Sequence, residues 1–161
     1  MRYASLGCLL VAASLAGAGA VFAQGAAPKP AAKPHTHVVE IGEPGDPKLA
    51  TRTIKVAMAD TMRFTPARIE VRRGETINFE VTNTGKIKHE MTLGTAHELA
   101  EHAAEMKKFP EMEHDDPNNV SLEPGKTGSI VWRFTKAGTF DFACLHPGHF
   151  DAGMKGRIVV R

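Results

Sequence analysis

The segment Phe140-Asp-Phe142-Ala-Cys144 places its two aromatic rings and its thiol on alternate positions. It runs straight into Leu-His-Pro-Gly-His149-Phe-Asp-Ala-Gly-Met154. A period of two is the pattern of a half-buried strand, because successive side chains point to opposite faces. The strand that buries Phe140 and Phe142 therefore aims Cys144 inward too. A thiolate at the apolar end of such a strand is shielded from bulk water and oxidants. The loop that follows is constrained by chemistry as much as by shape. Four residues separate Cys144 from His149, and four separate His149 from Met154, with Pro147, Gly148 and Gly153 to shape the turns.

The same alternation recurs along the chain. Ile54, Val56 and Met58 share one parity, as do Ile77, Phe79 and Val81, then Ile130, Trp132 and Phe134, and finally Ile158 and Val160. Arg73-Gly74-Glu75, Asn83-Thr84-Gly85 and Lys136-Ala-Gly138 supply turn chemistry. Short alternating strands with frequent turns predict an all-β, antiparallel sandwich. One stretch breaks the pattern. Thr95-Ala-His-Glu98 is a capping-box sequence, and Pro110 closes the run it opens. Leu99, Ala103 and Met106 then form one stripe, so a short helical insert is expected around 95–109, followed by a loop over 110–119.

Upstream, His89 is placed by the pattern at the end of a strand. Two imidazoles and a thiolate in a trigonal set, with a weak axial thioether, are the donors of a type 1 blue-copper site. Zinc also accepts Cys and His, but rarely recruits a methionine. His89, Cys144, His149 and Met154 are therefore the expected ligands of one copper ion. Neither Met154 nor Cys144 would carry that reading alone, since a lone methionine or buried thiol is ordinary core packing.

The beginning of the chain has the form of an export signal. Arg2 precedes an apolar run over residues 4–20, and Val21-Phe22-Ala23 offers small residues where a signal peptidase cuts. A signal peptide over 1–23, cleaved after Ala23, predicts a periplasmic protein with no stable membrane insertion after processing. Cys8 lacks a convincing lipobox. Its removal would leave Cys144 as the one cysteine, and an unpaired thiol in an exported chain needs a reason such as metal ligation. Residues 24–50, rich in Ala, Pro and Lys, are expected to form a flexible leader, and 51–161 a single domain. Twenty Lys and Arg against 18 Asp and Glu exclude the basic excess of a nucleic-acid binder.

Several other donors stay open. His35 and His37 in the leader read as solvated residues or as a weak copper-capturing pair. His102 and Met106 lie four apart on one helical face and, with Met112 and His114, could form a soft Cu(I)-binding patch or simply pack. His146, two residues from Cys144, could compete as a ligand, although an exposed edge position is expected. His97 and His102 resemble a zinc-protease pair, but the protease spacing is four. Five residues set them about 140° apart round a helix, which excludes a shared face.

Over residues 51–161 the chain resembles the cupredoxins, the single-domain type 1 copper proteins. Lys88-His89-Glu90-Met91 matches the upstream histidine position, and Cys144-x4-His149-x4-Met154 matches the C-terminal loop. Met62-Arg-Phe-Thr-Pro-Ala-Arg-Ile-Glu-Val71 and Gly148-His-Phe-Asp-Ala-Gly-Met-Lys-Gly156 resemble bacterial periplasmic cupredoxins linked to copper tolerance. The resemblance implies a Greek-key sandwich and a redox-active Cu(II)/Cu(I) site with electron-transfer capability. It also implies His149 as the electron port, a periplasmic redox partner, and a monomer that is not an enzyme. A dedicated carrier to a periplasmic reductase or oxidase, or a copper-sequestering protein with additional Cu(I) sites, are the alternatives. Multicopper oxidases and nitrite reductases need copper sites between domains, and this chain has room for one domain. The family commonly places Asn after the upstream histidine to brace the cysteine loop. Here Glu90 stands in its place, which implies different hydrogen bonding around the ligands.

Overall fold

The computed structural model describes residues 40–110, 112 and 115–161. The signal peptide expected over 1–23 and Cys8 lie outside the described residues, as do the first part of the leader with His35 and His37, and also His114. Among these residues ten strands and one α-helix, with a 3-10 turn over Pro47–Leu49 after the first strand, follow in order: β1 (Glu43–Pro44), β2 (Arg52–Ala59), β3 (Arg63–Thr65), β4 (Arg68–Val71), β5 (Thr76–Asn83), β6 (His89–Gly94), α1 (Ala96–Lys108), β7 (Asn119–Leu122), β8 (Thr127–Arg133), β9 (Gly138–Ala143) and β10 (Lys155–Val160). Among the described residues no helix is long and apolar enough to cross a membrane.

Alternation builds the core. Ile77, Phe79 and Val81 of β5 are buried, with Ile130 and Trp132 of β8, Phe140 and Phe142 of β9, and Ile158 and Val160 of β10. One sheet runs β1-β8-β5-β2-β3 and the other β4-β10-β9-β6-β7. Their apolar faces meet in a single cluster that includes Cys144 and Met154. Phe64 of the first sheet packs edge-on against Phe142 of the second, with ring centroids 5.0 Å apart. Gly156 lies opposite Phe142 in the β9–β10 register. A Cβ there would lie 2.0 Å from the Phe142 ring, so only glycine lets the ring lie flat across β10.

The sandwich is mixed rather than wholly antiparallel. β2 pairs with β5, and β4 with β10, in parallel. The reason is the route of the chain: between β2 and β5 it visits the other sheet as β4, and it returns running in the original direction. The ordered fold also begins before the expected boundary at residue 51. Ile41 is fully buried, and Glu43–Pro44 pairs with β8 through Arg133 and Trp132. One isolated isoleucine gives no periodicity, and the Pro- and Gly-rich residues around it read as leader.

β6 is buried along its whole length, so it shows no alternation. Its second face is covered by α1, which lies against β6 and β9. The capping box forms as the sequence predicts: Glu98 N–H donates to Thr95 Oγ1 at 3.2 Å, and Thr95 N–H donates to Glu98 Oε2 at 2.7 Å. Such a cap stabilises a helix by about 1 kcal/mol. Leu99, Ala103 and Met106 pack with Ala143 and Leu145 in a second, smaller core, edged by Met112 and Phe150. Burying a side chain the size of leucine or methionine contributes roughly 1.5–3 kcal/mol. That face holds the helix against the end of β9, where the chain enters the Cys144 loop.

Candidate metal centre

The turn that leads into β6 is fixed by Asn83, a buried residue at the end of β5. Its Nδ2 donates to the carbonyls of Ile87 at 2.8 Å and Leu122 at 2.9 Å, while its Oδ1 accepts from Gly85 N–H at 2.9 Å. His89 follows directly, opening β6 rather than ending a strand, with its side chain wholly buried. On the other side, Cys144 N–H donates to the Met154 carbonyl at 3.1 Å, which closes the loop between β9 and β10. Within it His149 N–H donates to the His146 carbonyl at 3.0 Å, and Met154 N–H to the His149 carbonyl at 3.0 Å. The spacing of four residues thus resolves into two consecutive turns, which return His149 towards Cys144.

The result is a convergent donor set. One potential ligand atom from each of His89, Cys144 and His149 lies within 4.8 Å of the others. Cys144 Sγ is 3.2 Å from His149 Nδ1, and the rings of His89 and His149 are 5.0 Å apart. Met154 is fully buried in the same core cluster as Cys144. Three of the four residues expected as ligands therefore converge, and Met154 is tied to Cys144 through its backbone carbonyl.

Two carboxylates hold this set, and neither role was evident in the sequence. Asp60, in the turn after β2, accepts from His89 Nε2–H at 3.0 Å and from Lys86 N–H at 3.0 and 2.8 Å. The Lys86 N–H, followed by His89, holds the Asp60 carboxyl below the usual carboxylate range. A carboxylate can only accept, so the proton of the His89 ring sits on Nε2. Nδ1 is left buried with its lone pair and without a hydrogen-bond partner. Glu90, also buried, accepts from Leu145 N–H at 2.9 Å, while its own N–H donates to Cys144 Sγ at 3.5 Å. The longer side chain thus braces the cysteine loop from the place where Asn was expected.

Burial holds the donors uncharged in the absence of metal. Burial pushes the Cys144 thiol up to about 12; the charge of Glu90 adds to this, and the N–H groups of Glu90 and His146 oppose it. His149 is held below its ordinary range, first by burial and then by the neighbouring imidazoles of His89 and His146, so its own imidazole is neutral at pH 7. Cys144 Sγ and His149 Nδ1 face each other at 3.2 Å, and His89 Nδ1 beside them is buried without a partner. A thiophilic metal ion would satisfy all three, so the residues fit copper.

The remaining donors separate. His146 is half-buried rather than exposed, with its ring 5.7 Å from that of His149 and its Nε2 shut from solvent without a partner. Burial lowers its affinity for a proton. It is not part of the convergent group. Met106 and Met112 pack in the second core, and His102 lines a groove beside α1 with Glu98, Glu101 and Asp116. Among the described residues, the His89, Cys144 and His149 set is the one group of three or more His, Cys and acidic donors so placed.

The helix and the strands flanking the loop add further restraints. Lys107 Nζ pairs with Asp151 at 2.7 Å, Arg63 donates to the Ala152 carbonyl at 3.1 Å, and Lys155 Nζ lies 3.6 Å above the Phe150 ring.

A family profile described as copper binding proteins, plastocyanin/azurin family, matches residues 50–161. The chain is 55% identical over 129 residues to the copper-resistant cuproprotein CopI of Rubrivivax gelatinosus, covering 79% of this chain and 78% of that protein. It is 37% identical to the CopI of Pseudomonas aeruginosa, with 94% and 97% covered. Among solved structures, reduced auracyanin from Roseiflexus castenholzii superposes with a TM-score of 0.60 at 24% identity, covering 70% of this chain and 98% of its own. Auracyanin B gives 0.61 at 21% identity, with 74% and 96% covered. At those identities the two structures bear on the fold alone.

Proposed function

The chain belongs to the plastocyanin/azurin family of copper-binding proteins, and from that premise we propose that it serves copper tolerance as an exported, redox-active copper protein. His89 Nδ1, Cys144 and His149 would hold the ion, with Met154 as a weaker fourth donor. Bound copper would supply one-electron chemistry between Cu(I) and Cu(II). The observation that carries this reading is the buried meeting of three donors, one of them an imidazole nitrogen with no other partner. A frame braced by Asp60, Glu90 and Arg63 limits movement between oxidation states, which suits electron transfer. His149, the less buried of the two ligand histidines, is the side of the site from which a redox partner could be reached.

The tolerance role draws on the relatives named as copper-resistant cuproproteins. Export to the periplasm rests on the signal-like start of the sequence. In this reading the protein is a monomer that handles copper rather than an enzyme, and it has no nucleic-acid partner. The partial exposure of the His149 edge favours a second reading, a dedicated electron carrier. Copper stoichiometry separates the two, since one tight ion fits a carrier and further Cu(I) fits copper handling.

Titration of the signal-free protein with Cu(II) tests the site. An intense thiolate-to-copper band should saturate at one equivalent and vanish in Cys144→Ser. A band that survives that substitution refutes the ligand assignment.

A further inference from the structure

The Nε2 of buried His89 is bonded to a partly exposed group, the carboxylate of Asp60. We propose that Asp60 is a positioning residue for the copper site: it fixes the protonated nitrogen of His89, aims the other nitrogen at Cys144, and sets a negative charge one ring away from the metal. The inference rests on the reading of His89 as a ligand and deepens it.

Three observations carry it. First, the His89 Nε2 to Asp60 Oδ1 distance is 3.0 Å, and the imidazole is otherwise wholly buried. The ring can therefore bond through Nε2 only to Asp60, and Nδ1 has no competing partner. Second, Asp60 is itself held. Lys86 N–H donates to both carboxylate oxygens, so the side chain is pinned from the β2–β3 turn to the turn that precedes β6. Third, the space is cut to fit: a Cβ on Gly85 would lie 1.9 Å from Asp60 Oδ1, so the bare backbone at Gly85 is what admits the carboxylate.

The chemistry follows from this placement. A carboxylate behind a metal-bound imidazole makes the ring a stronger donor and fixes its orientation. It also stabilises the more positive oxidation state, so Asp60 biases the site towards Cu(II) and lowers its reduction potential. Its carboxylate is partly exposed, at 39%, so solvent weakens the through-space part of the effect. The contribution through the hydrogen bond to the ring is retained.

A purely structural Asp60 would act only by bracing two turns. Thr84 supplies the comparison, because its Oγ1 donates to the Met58 carbonyl at 2.8 Å and ties the same two regions without touching Asp60 or His89.

The test uses Asp60→Asn, Asp60→Ala and Thr84→Val in the full signal-free chain, read by electrochemistry, by copper competition, and by nitrogen NMR of the His89 ring without metal. Asp60→Asn keeps an acceptor and loses the charge. It should keep the thiolate-to-copper band and raise the potential, by about 59 mV for each tenfold loss of Cu(II) affinity relative to Cu(I). Asp60→Ala should weaken copper binding by about 10- to 100-fold and turn the single Nε2–H tautomer of apo His89 into a mixture. Thr84→Val should lower the melting temperature while leaving potential and tautomer in place. The proposal is overturned if the Asp60 variants leave potential, affinity and tautomer unmoved, or if Thr84→Val shifts the potential as far as Asp60→Asn does. A wild-type protein with no thiolate-to-copper band would overturn the ligand reading as well. A normal wild-type band with inert Asp60 variants overturns this inference alone.

Discussion

Replacing Glu90 asks whether a carboxylate can do the work of bracing the ligand loop. In Glu90→Ala the Leu145 N–H, 2.9 Å from Glu90 Oε1, loses its acceptor in a buried place. An unsatisfied buried donor costs about 1–3 kcal/mol. Removing a buried carboxylate also relieves its own desolvation, which offsets part of that loss. The net destabilisation of the metal-free protein should therefore be about 1–2 kcal/mol, or a melting temperature lower by roughly 4–8 °C for a domain of this size. Glu90→Gln keeps an oxygen for Leu145 N–H and should lose less than half as much. The glutamine variant carries a second signature. The charge of Glu90 helps to raise the Cys144 thiol, so in Glu90→Gln that thiol should ionise below about 12. Calorimetry of the reduced apoprotein and ultraviolet thiolate titration read the two effects. The bracing argument is refuted if Glu90→Ala melts with the wild type, or if glutamine is as damaging as alanine.

Three further outcomes follow from the thiol and from the packing of the sandwich. Copper must displace the Cys144 proton, held to about 12, so affinity should fall about tenfold for each unit of falling pH. The fall should steepen only below 6.5, because His149 is held below that ordinary value and stays neutral above it. Chelator competition between pH 6 and 9 checks this, and a flat profile refutes it. The linkage has the opposite sense without metal. The folded thiol keeps its proton above the ordinary 9.0 while the unfolded one loses it, so apoprotein stability should decline as pH rises from 9.0 towards 12. Gly156→Ala should overpack the Phe142 ring and cost about 1–3 kcal/mol in chemical denaturation; an unchanged midpoint would mean that the ring has room to move.

What could be read in the sequence followed periodicity. β5, β8, β9 and β10 each bury one face, so their alternation is visible, and α1 announced itself through a capping box and a stripe at helical spacing. β6 is covered on both faces, so the sequence pattern sets His89 at the end of a strand, whereas the fold has it open one. Ile41 joins the core from a segment too short for any period. The Cys144–Met154 loop stands out in the sequence because a thiol, an imidazole and a thioether lie within eleven consecutive residues. Asp60 does not, because its bond to His89 spans 29 positions and a turn aspartate has an ordinary local explanation. Glu90 was noticed as a departure, but only the fold shows its carboxylate reaching Leu145.

Cys144 and Leu145 are neighbours in the chain that point into different cores, one in the sandwich and one under α1. The ligand loop is thus stitched through two hydrophobic compartments, and detachment of the helix would free Leu145 and Phe150 while leaving Cys144 in place. Fraying of α1 and opening of the sandwich around Cys144 are thereby separable events. Exchange of the α1 amide hydrogens would then report on the second core alone.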